Sequence, residues 1–181
     1  PEVFGINNWI RNFSKKLAQQ NVPVLALPLY GRTAPNLDLE YSEEDLKLGR
    51  HHKNLTTLKN IIDDVSAAIN WVKEKYPSKK ISIIGFCFGG HAAFIASSLK
   101  GIESSFCFYG AGIVSLRKDT NSAPIDLLEK VSGKLNFICG SSDDLIPLRD
   151  RLEIKKRFKK LDPFGKRFTY VEIENADHGF M

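Results

Sequence analysis

Apolar residues recur along the chain with two kinds of spacing, typical of helices and of strands. Helical spacing predicts three amphipathic helices, over residues 8–20, 55–76 and about 149–161. Asn7 can cap the first helix, and Pro77 ends the second. Short apolar or β-branched runs predict strands at 22–27, 81–84, 106–109, 135–139 and 167–173, and a short helix is expected around 124–131.

Strands that alternate with helices indicate an α/β fold with a mostly parallel sheet, helices on both faces and right-handed crossovers. The 181 residues suit one domain, so we predict a single domain over residues 1–181. Residues 31 to about 52 are expected to form a long loop, and its acidic residues fit either a functional or a simply solvated segment. These are Asp38, Glu40, Glu43, Glu44 and Asp45.

The stretch from Ile81 to His91 predicts a strand, a sharp turn and a helix with Cys87 at the turn. A nucleophile at such a turn needs small neighbours two residues away on each side, and Gly85 and Gly89 supply them. The turn would also place the Cys87 sulfur at a helix N-terminus, where the dipole favours a thiolate. The alternative is a buried structural cysteine in a tightly packed strand-to-helix turn.

Charge adds little to this interpretation. The net charge of +5 comes mainly from basic residues between positions 149 and 167. Because Ile154, Phe158 and Leu161 share one face of that segment, we predict a helix with a solvated basic face and not a nucleic-acid site. No run approaches a membrane span and no signal peptide is evident, while three cysteines, an odd number, fit a reducing compartment. A cytoplasmic location is therefore predicted.

Ionisable residues follow three of the predicted strands. Cys87 follows one, Asp143 and Asp144 another, and His178 the last. The carboxyl ends of parallel strands meet at one edge of a sheet, where active sites of α/β proteins lie. The order nucleophile, acid, histidine is that of the α/β-hydrolases. The histidine would accept the thiol proton and later give it to the leaving group, while the carboxylate orients the ring.

Five motifs, in order from one end of the chain to the other, resemble those of the dienelactone hydrolase family. They are Glu2-Val3-Phe4-Gly5-Ile6-Asn7, Leu29-Tyr30-Gly31-Arg32, Gly85-Phe86-Cys87-Phe88-Gly89-Gly90, Gly140 through Asp143 to Pro147, and Ala176-Asp177-His178-Gly179-Phe180. The resemblance implies an α/β-hydrolase fold. The family also has strands before the Glu2 segment, and a helix and a carboxylate-binding arginine after the histidine. We therefore expect the chain to be incomplete at both ends.

The resemblance also implies the roles of individual residues. It selects Asp143 over Asp144 as the acid, and it implies that Glu2 contacts the resting nucleophile. The N–H groups of Phe88 and Val3 would form the oxyanion hole. Tyr30 and Arg32 lie in a matching motif and are candidate substrate contacts.

Several other residues are candidates, and two of them keep two interpretations. Arg50 could bind substrate or be an exposed arginine at a helix start, and His91 could line the site or pack against a neighbour. His51 and His52 lack further ligands at metal spacing and are interpreted as loop or helix-start residues. Cys107 and Cys139 lie in apolar strands and are expected to be inert.

The predicted function is hydrolysis of a carboxylic ester or lactone by Cys87, His178 and Asp143 through an acyl-cysteine, without metal or organic cofactor. If the resemblance extends to the substrate, a dienelactone such as carboxymethylenebutenolide is the first candidate. The alternatives are a general carboxylesterase or thioesterase, and an inactive hydrolase-fold binding module. The expected partner is a small molecule and neither nucleic acid nor membrane; the sequence gives no oligomeric state.

Overall fold

The structure, a computed structural model, describes residues 1–181 as two compact units, residues 1–57 and 58–181. In the first unit, helix α1 spans Asn8–Ala18, and Asn7 caps it by accepting the N–H of Ile10 on its side chain (3.2 Å). This confirms the predicted first helix and its cap. The prediction of a single domain stays a prediction.

Helix α2, Glu43–Leu55, corrects the prediction of a long loop from residue 31 to 52. Ser42 caps it by accepting the N–H of Asp45, and the first turn holds Glu43, Glu44 and Asp45. Acidic side chains at a helix N-terminus interact favourably with the helix dipole. Glu43, Glu44 and Asp45 therefore begin a helix, where the sequence analysis expected a loop, either functional or solvated.

The predicted strand over residues 22–27 is wrong. The segment joins no sheet, and Val22 and Leu25 are 52% and 46% exposed. A strand is held by hydrogen bonds to a neighbouring strand and by burial of its apolar face. Residues 22–27 have neither here, although their composition favours a strand.

The second unit contains a four-stranded parallel sheet. Its strands are β1 (Ile81–Phe86), β2 (Ile102–Phe108), β3 (Lys134–Gly140) and β4 (Phe168–Ile173), paired in the order β1-β2-β3-β4. All four strands lie where the sequence predicted them, within a few residues at their ends. The parallel sheet with intervening helices confirms the α/β prediction.

The helices of the second unit are α3 (Leu58–Lys75), α4 (Phe88–Ala96) and α5 (Leu148–Leu161), with a short 3-10 helix at Pro124–Lys130. All nine residues of α4 are buried, and α4 packs on β1, β2 and α3. Helix α5 buries Ile154 and Phe158, as the apolar stripe predicted. Burial of one large apolar side chain stabilises the folded state by roughly 1.5–3 kcal/mol, so the fully buried α4 contributes to the stability of this unit.

Candidate active site

Cys87 lies at the sharp turn between β1 and α4. Its backbone has φ 53° and ψ −116°, a conformation that residues with a Cβ rarely adopt. The Cys87 N–H donates to the carbonyl of Phe108 (3.0 Å), which fixes the turn to the end of β2. Such strain persists only where the surrounding structure holds it, and it is concentrated at functional sites.

Glycine is required at two positions around this turn. A Cβ on Gly85 would lie 1.8 Å from the carbonyl oxygen of Gly89, and one on Gly90 would lie 2.4 Å from that of Phe108. Both contacts are with backbone, which cannot move aside as a flexible side chain can. The glycines therefore let the strand, the helix and the neighbouring strand close on each other.

Asp143 occupies the turn that follows β3. Its side chain is buried: Oδ1 accepts the N–H of Leu145 (2.9 Å), and Oδ2 lies 2.8 Å from Nδ1 of His178. The turn closes through the N–H of Ile146, which donates to the Asp143 carbonyl (3.0 Å). Asp144 is exposed. The structure thus brings Asp143, and not Asp144, to the histidine.

The loop after β4 is joined to the Asp143 turn by backbone hydrogen bonds. The N–H of Ser141 donates to Ile173, the N–H of Ser142 donates to Ala176 (3.0 Å), and the Ser141 hydroxyl accepts the N–H of Asn175 (2.8 Å). A Cβ on Gly140 would lie 2.0 Å from the Ala176 carbonyl oxygen, so the two segments approach as closely as glycine allows. These contacts hold the His178 loop against the acid turn.

His178 is about three-quarters buried in its side chain and interacts with both Asp143 and Cys87. Burial disfavours the imidazolium, but the hydrogen bonds and negative charges of Asp143 and Cys87 outweigh burial and raise the pKa of His178 to about 10. The buried Nε2 atom makes no hydrogen bond of ordinary geometry. The Cys87 side chain nevertheless raises the pKa of the ring, both by hydrogen bonding and by its charge. Contacts of this kind are often loose before substrate binds.

Tyr109 is a residue that the sequence analysis missed. It is 1% exposed, it has a positive φ of 38°, and its ring lies edge-on to those of His178 (5.1 Å) and Phe180 (5.2 Å). It therefore forms a wall against which the imidazole packs. Its place directly after β2, before Gly110, is the signal that could have identified it, because sites form at this edge of a sheet.

His91 uses both ring nitrogens within the protein. Nδ1 lies 2.9 Å from the carbonyl oxygen of Ala111, so it carries the proton that it donates there, and Nε2 accepts from Arg117 (2.8 Å). Arg117 is paired in turn with Asp119 (2.9 Å). Both ring nitrogens of His91 thus have partners within the protein, and its place among the substrate contacts stays a prediction.

The remaining candidates lie in the first unit. The Glu2 carboxylate accepts the hydroxyl of Tyr41 (3.2 Å), and Val3 is buried, with its carbonyl 2.3 Å from where a Cβ on Gly49 would stand. Helix α2 therefore packs directly on the Val3 segment. The roles implied for Glu2 and Val3 stay predictions.

Tyr30 is buried and Arg32 is exposed, and their proposed contacts with substrate also stay predictions. Arg50, His51 and His52 lie within α2 and not in a loop or at a helix start, which corrects their predicted setting. Arg50 is exposed, and His52 Nδ1 lies 3.1 Å from the Thr33 hydroxyl.

Comparisons with known proteins show the family to which the chain is similar. The family model of the dienelactone hydrolase family matches residues 1–181. A protein of Synechocystis sp. is 32% identical over 182 residues, which are 99% of this chain and 73% of that protein. The carboxymethylenebutenolidase of Pseudomonas putida is 26% identical over 186 residues, 99% of this chain and 72% of that protein.

Solved structures share the fold. A crystal structure from Klebsiella pneumoniae superposes with a TM-score of 0.81 at 19% identity, covering 99% of this chain and 73% of that one. A dienelactone hydrolase-like promiscuous phosphotriesterase from metagenomic libraries gives a TM-score of 0.69, also at 19% identity, with 99% and 70% covered.

The parallel sheet and the turn at Cys87 define an α/β-hydrolase fold. The chain belongs to the dienelactone hydrolase family and is a hydrolase that acts on ester or lactone bonds. This finding favours the enzyme over the binding module among the alternatives. No helix has the length and apolar character needed to cross a membrane.

Proposed function

We propose that the chain hydrolyses a lactone of the dienelactone type through an acyl-cysteine formed on Cys87. The observation that supports this most directly is the surroundings of His178, whose Nδ1 lies 2.8 Å from the Asp143 carboxylate and whose ring also interacts with Cys87. In this proposal Cys87 is the nucleophile, His178 the base and Asp143 the acid that orients it. Because the relative from Pseudomonas putida is a carboxymethylenebutenolidase, that lactone class is the first substrate candidate.

The resting site in this proposal is an ion pair of the Cys87 thiolate and the His178 imidazolium. A His178 pKa of about 10 keeps the ring protonated at neutral pH, so the imidazolium can stabilise negative charge on the neighbouring sulfur. Asp143 fixes the Nδ1 proton and stabilises the charged ring. The buried position of Asp143 strengthens this interaction, since little water screens it.

The proposed reaction has two halves. The thiolate forms a bond to the carbonyl carbon, the oxygen takes up the π electrons, and collapse breaks the bond to the leaving oxygen, which receives the His178 proton. Neutral His178 then takes a proton from water, whose oxygen attacks the thioester carbonyl and releases the acid and the thiolate. Phe88 directly follows Cys87 and is the first residue of α4. In α/β-hydrolases the residue after the nucleophile donates its backbone N–H to the oxyanion.

The proposed reaction uses no metal or organic cofactor, and its partner is a small ester or lactone, with no part for nucleic acid or a membrane. We place the enzyme in the cytoplasm, because the three free cysteines suit a reducing compartment.

The experiment compares hydrolysis of a cis-dienelactone and of a short-chain p-nitrophenyl ester by the wild type, Cys87→Ala and the matched control Cys107→Ala. We expect lactone turnover that Cys87→Ala abolishes and Cys107→Ala keeps, with an acyl adduct on Cys87 by mass spectrometry. Turnover of the simple ester alone would support the mechanism but reject the dienelactone, in favour of a general esterase or thioesterase. Activity that survives in Cys87→Ala would reject the nucleophile.

A further inference from the structure

One basic residue of α5 differs from the others of that helix in its surroundings. Arg151 is only 8% exposed, whereas the surrounding Lys and Arg residues of α5 are mostly solvated. Its Nη1 atom donates to two backbone carbonyls, those of Gly140 (3.4 Å) and Ile146 (3.3 Å). These carbonyls stand at the two ends of the turn that carries Asp143, so a single guanidinium joins both ends of the turn.

Arg151 is also connected to β4. Its Nε atom forms an ion pair with the Glu172 carboxylate at 3.8 Å, too long for a hydrogen bond. Glu172 accepts from Lys155 (2.8 Å) and from the Tyr170 hydroxyl (2.7 Å), and these two hydrogen bonds lower the pKa of Glu172, so it stays ionised near neutral pH. β4 leads directly into the loop of His178.

Burying a guanidinium is costly unless its charge and its N–H groups find partners. The partners of Arg151 are two carbonyls of the acid turn and one carboxylate of the strand before His178. A planar guanidinium can hold separate acceptors in a fixed geometry, which a flexible ammonium does less well. The contacts of Arg151 thus converge on the two segments whose relative position sets the distance between Asp143 and His178.

We propose that Arg151 is a positioning residue that holds the Gly140–Ile146 turn closed and so keeps the Asp143 carboxylate on His178. The inference rests on the proposed roles of Asp143 and His178. Arg151 does not touch the substrate, so its loss changes kcat and leaves KM nearly unchanged. A misplacement of about 1 Å in a catalytic group can cost on the order of 100-fold in rate.

The test uses Arg151→Met, which keeps an apolar stem in place of the arginine stem and removes the charge and the donors, and Arg151→Lys, which keeps the charge on a shorter side chain without the planar guanidinium. Arg157→Met and Arg157→Lys are the matched controls, because Arg157 lies on the same helix and pairs at the surface with Glu153 (2.9 Å) and Asp126 (3.5 Å). The readouts are kcat and KM for a p-nitrophenyl ester and the pKa of His178 from an NMR titration.

We expect Arg151→Met to lower kcat about 10- to 100-fold with KM within about twofold of the wild type. The pKa of His178 should fall in the same variant, because Asp143 no longer holds the ring. Arg151→Lys should recover part of the lost kcat, and both Arg157 controls should match the wild type. If Arg151→Met does not fold, the comparison of Arg151→Lys with Arg157→Lys decides, with a loss of kcat expected in the first alone.

Equal kcat and equal His178 pKa in the Arg151 variants and their Arg157 controls would overturn the proposal. The His178 titration also separates this inference from the proposed function. If Cys87→Ala kept full activity, the proposed nucleophile would be wrong, whereas a lower His178 pKa in Arg151→Met would still support the positioning role.

Discussion

Nδ1 of His178 and Oδ2 of Asp143 lie 2.8 Å apart, although 35 residues separate them in the chain. They meet because β3 and β4 are parallel neighbours, so the two loops that follow these strands begin at the same edge of the sheet. Backbone hydrogen bonds from Ser141 and Ser142 then join the loops. Sheet topology therefore brings the two side chains to the same edge, and the loop contacts then hold them together.

The first prediction concerns Asp143→Asn. The amide keeps the size of the side chain but not its charge, so it neither stabilises the imidazolium nor fixes the Nδ1 proton. We expect kcat to fall about 100- to 10,000-fold with little change in KM, as for orienting acids of comparable triads. Steady-state hydrolysis of a p-nitrophenyl ester measures both constants.

Asp144→Asn is the matched control, because Asp144 is the exposed neighbour with the same chemistry. It should keep kcat within about twofold, since surface changes of this kind have small effects. A comparable loss in both variants would show that the charge of the loop matters, and not the contact of Asp143 with His178.

Most of the second unit could be predicted from sequence because its signals are local. The apolar runs of the four strands, the glycines around Cys87 and the apolar stripe of α5 each specify their own element. Residues 22–27 show where this reasoning fails, because a strand requires a partner and no local pattern reports whether one is present. Helix α2 was missed because its acidic first turn resembles a solvated loop until the Ser42 cap is considered.

For the candidate site, the sequence pointed to Cys87, Asp143 and His178 at strand ends but not to the residues that pack around them. Arg151 belongs to a basic run in which every side chain looks solvated, and only the tertiary structure shows that it alone reaches into the acid turn. Tyr109 was missed because the sequence analysis took it for the last residue of a strand, and its contact with His178 joins segments distant in sequence. Motifs identify reacting groups, whereas supporting contacts depend on packing.

The second prediction is a pH dependence of stability caused by His178. Its folded-state pKa of about 10 lies above the ordinary value of 6.5, so the folded state binds the proton more tightly. The contribution of His178 is therefore fully present below about pH 6.5 and is lost as the pH rises through about 10. Denaturant unfolding of the wild type and of His178→Gln across this range measures it.

We expect the difference in unfolding free energy between these two proteins to shrink steadily above pH 6.5. An NMR titration gives the pKa directly, and it should be lower in Asp143→Asn, because Asp143 raises it in the wild type. A pH-independent difference in stability, or a His178 pKa near 6.5, would contradict the predicted ion pair.

The third prediction concerns the turn at Cys87. In Gly85→Ala the new methyl group would lie 1.8 Å from the carbonyl oxygen of Gly89, so the strand and the helix must move apart. We expect the unfolding free energy to fall by about 1–3 kcal/mol or more, together with a loss of activity. Gly31→Ala is the control for stability, since its methyl group would meet its nearest neighbour at 3.4 Å. Equal thermal unfolding of both variants would show that the turn tolerates a side chain.

The fourth prediction distinguishes the three cysteines by their reactivity. Cys107 and Cys139 are fully buried, and burial raises the pKa of both thiols, whereas Cys87 is partly exposed beside His178. Since alkylating reagents react with accessible thiolates, iodoacetamide should modify the native protein once, at Cys87. Intact-mass spectrometry should therefore show one adduct on the native wild type, none on native Cys87→Ala, and three on the unfolded wild type. Modification of Cys107 or Cys139 before Cys87 would mean that the strands open more readily than the packed sheet allows, and that the sulfur at the turn is not the activated one.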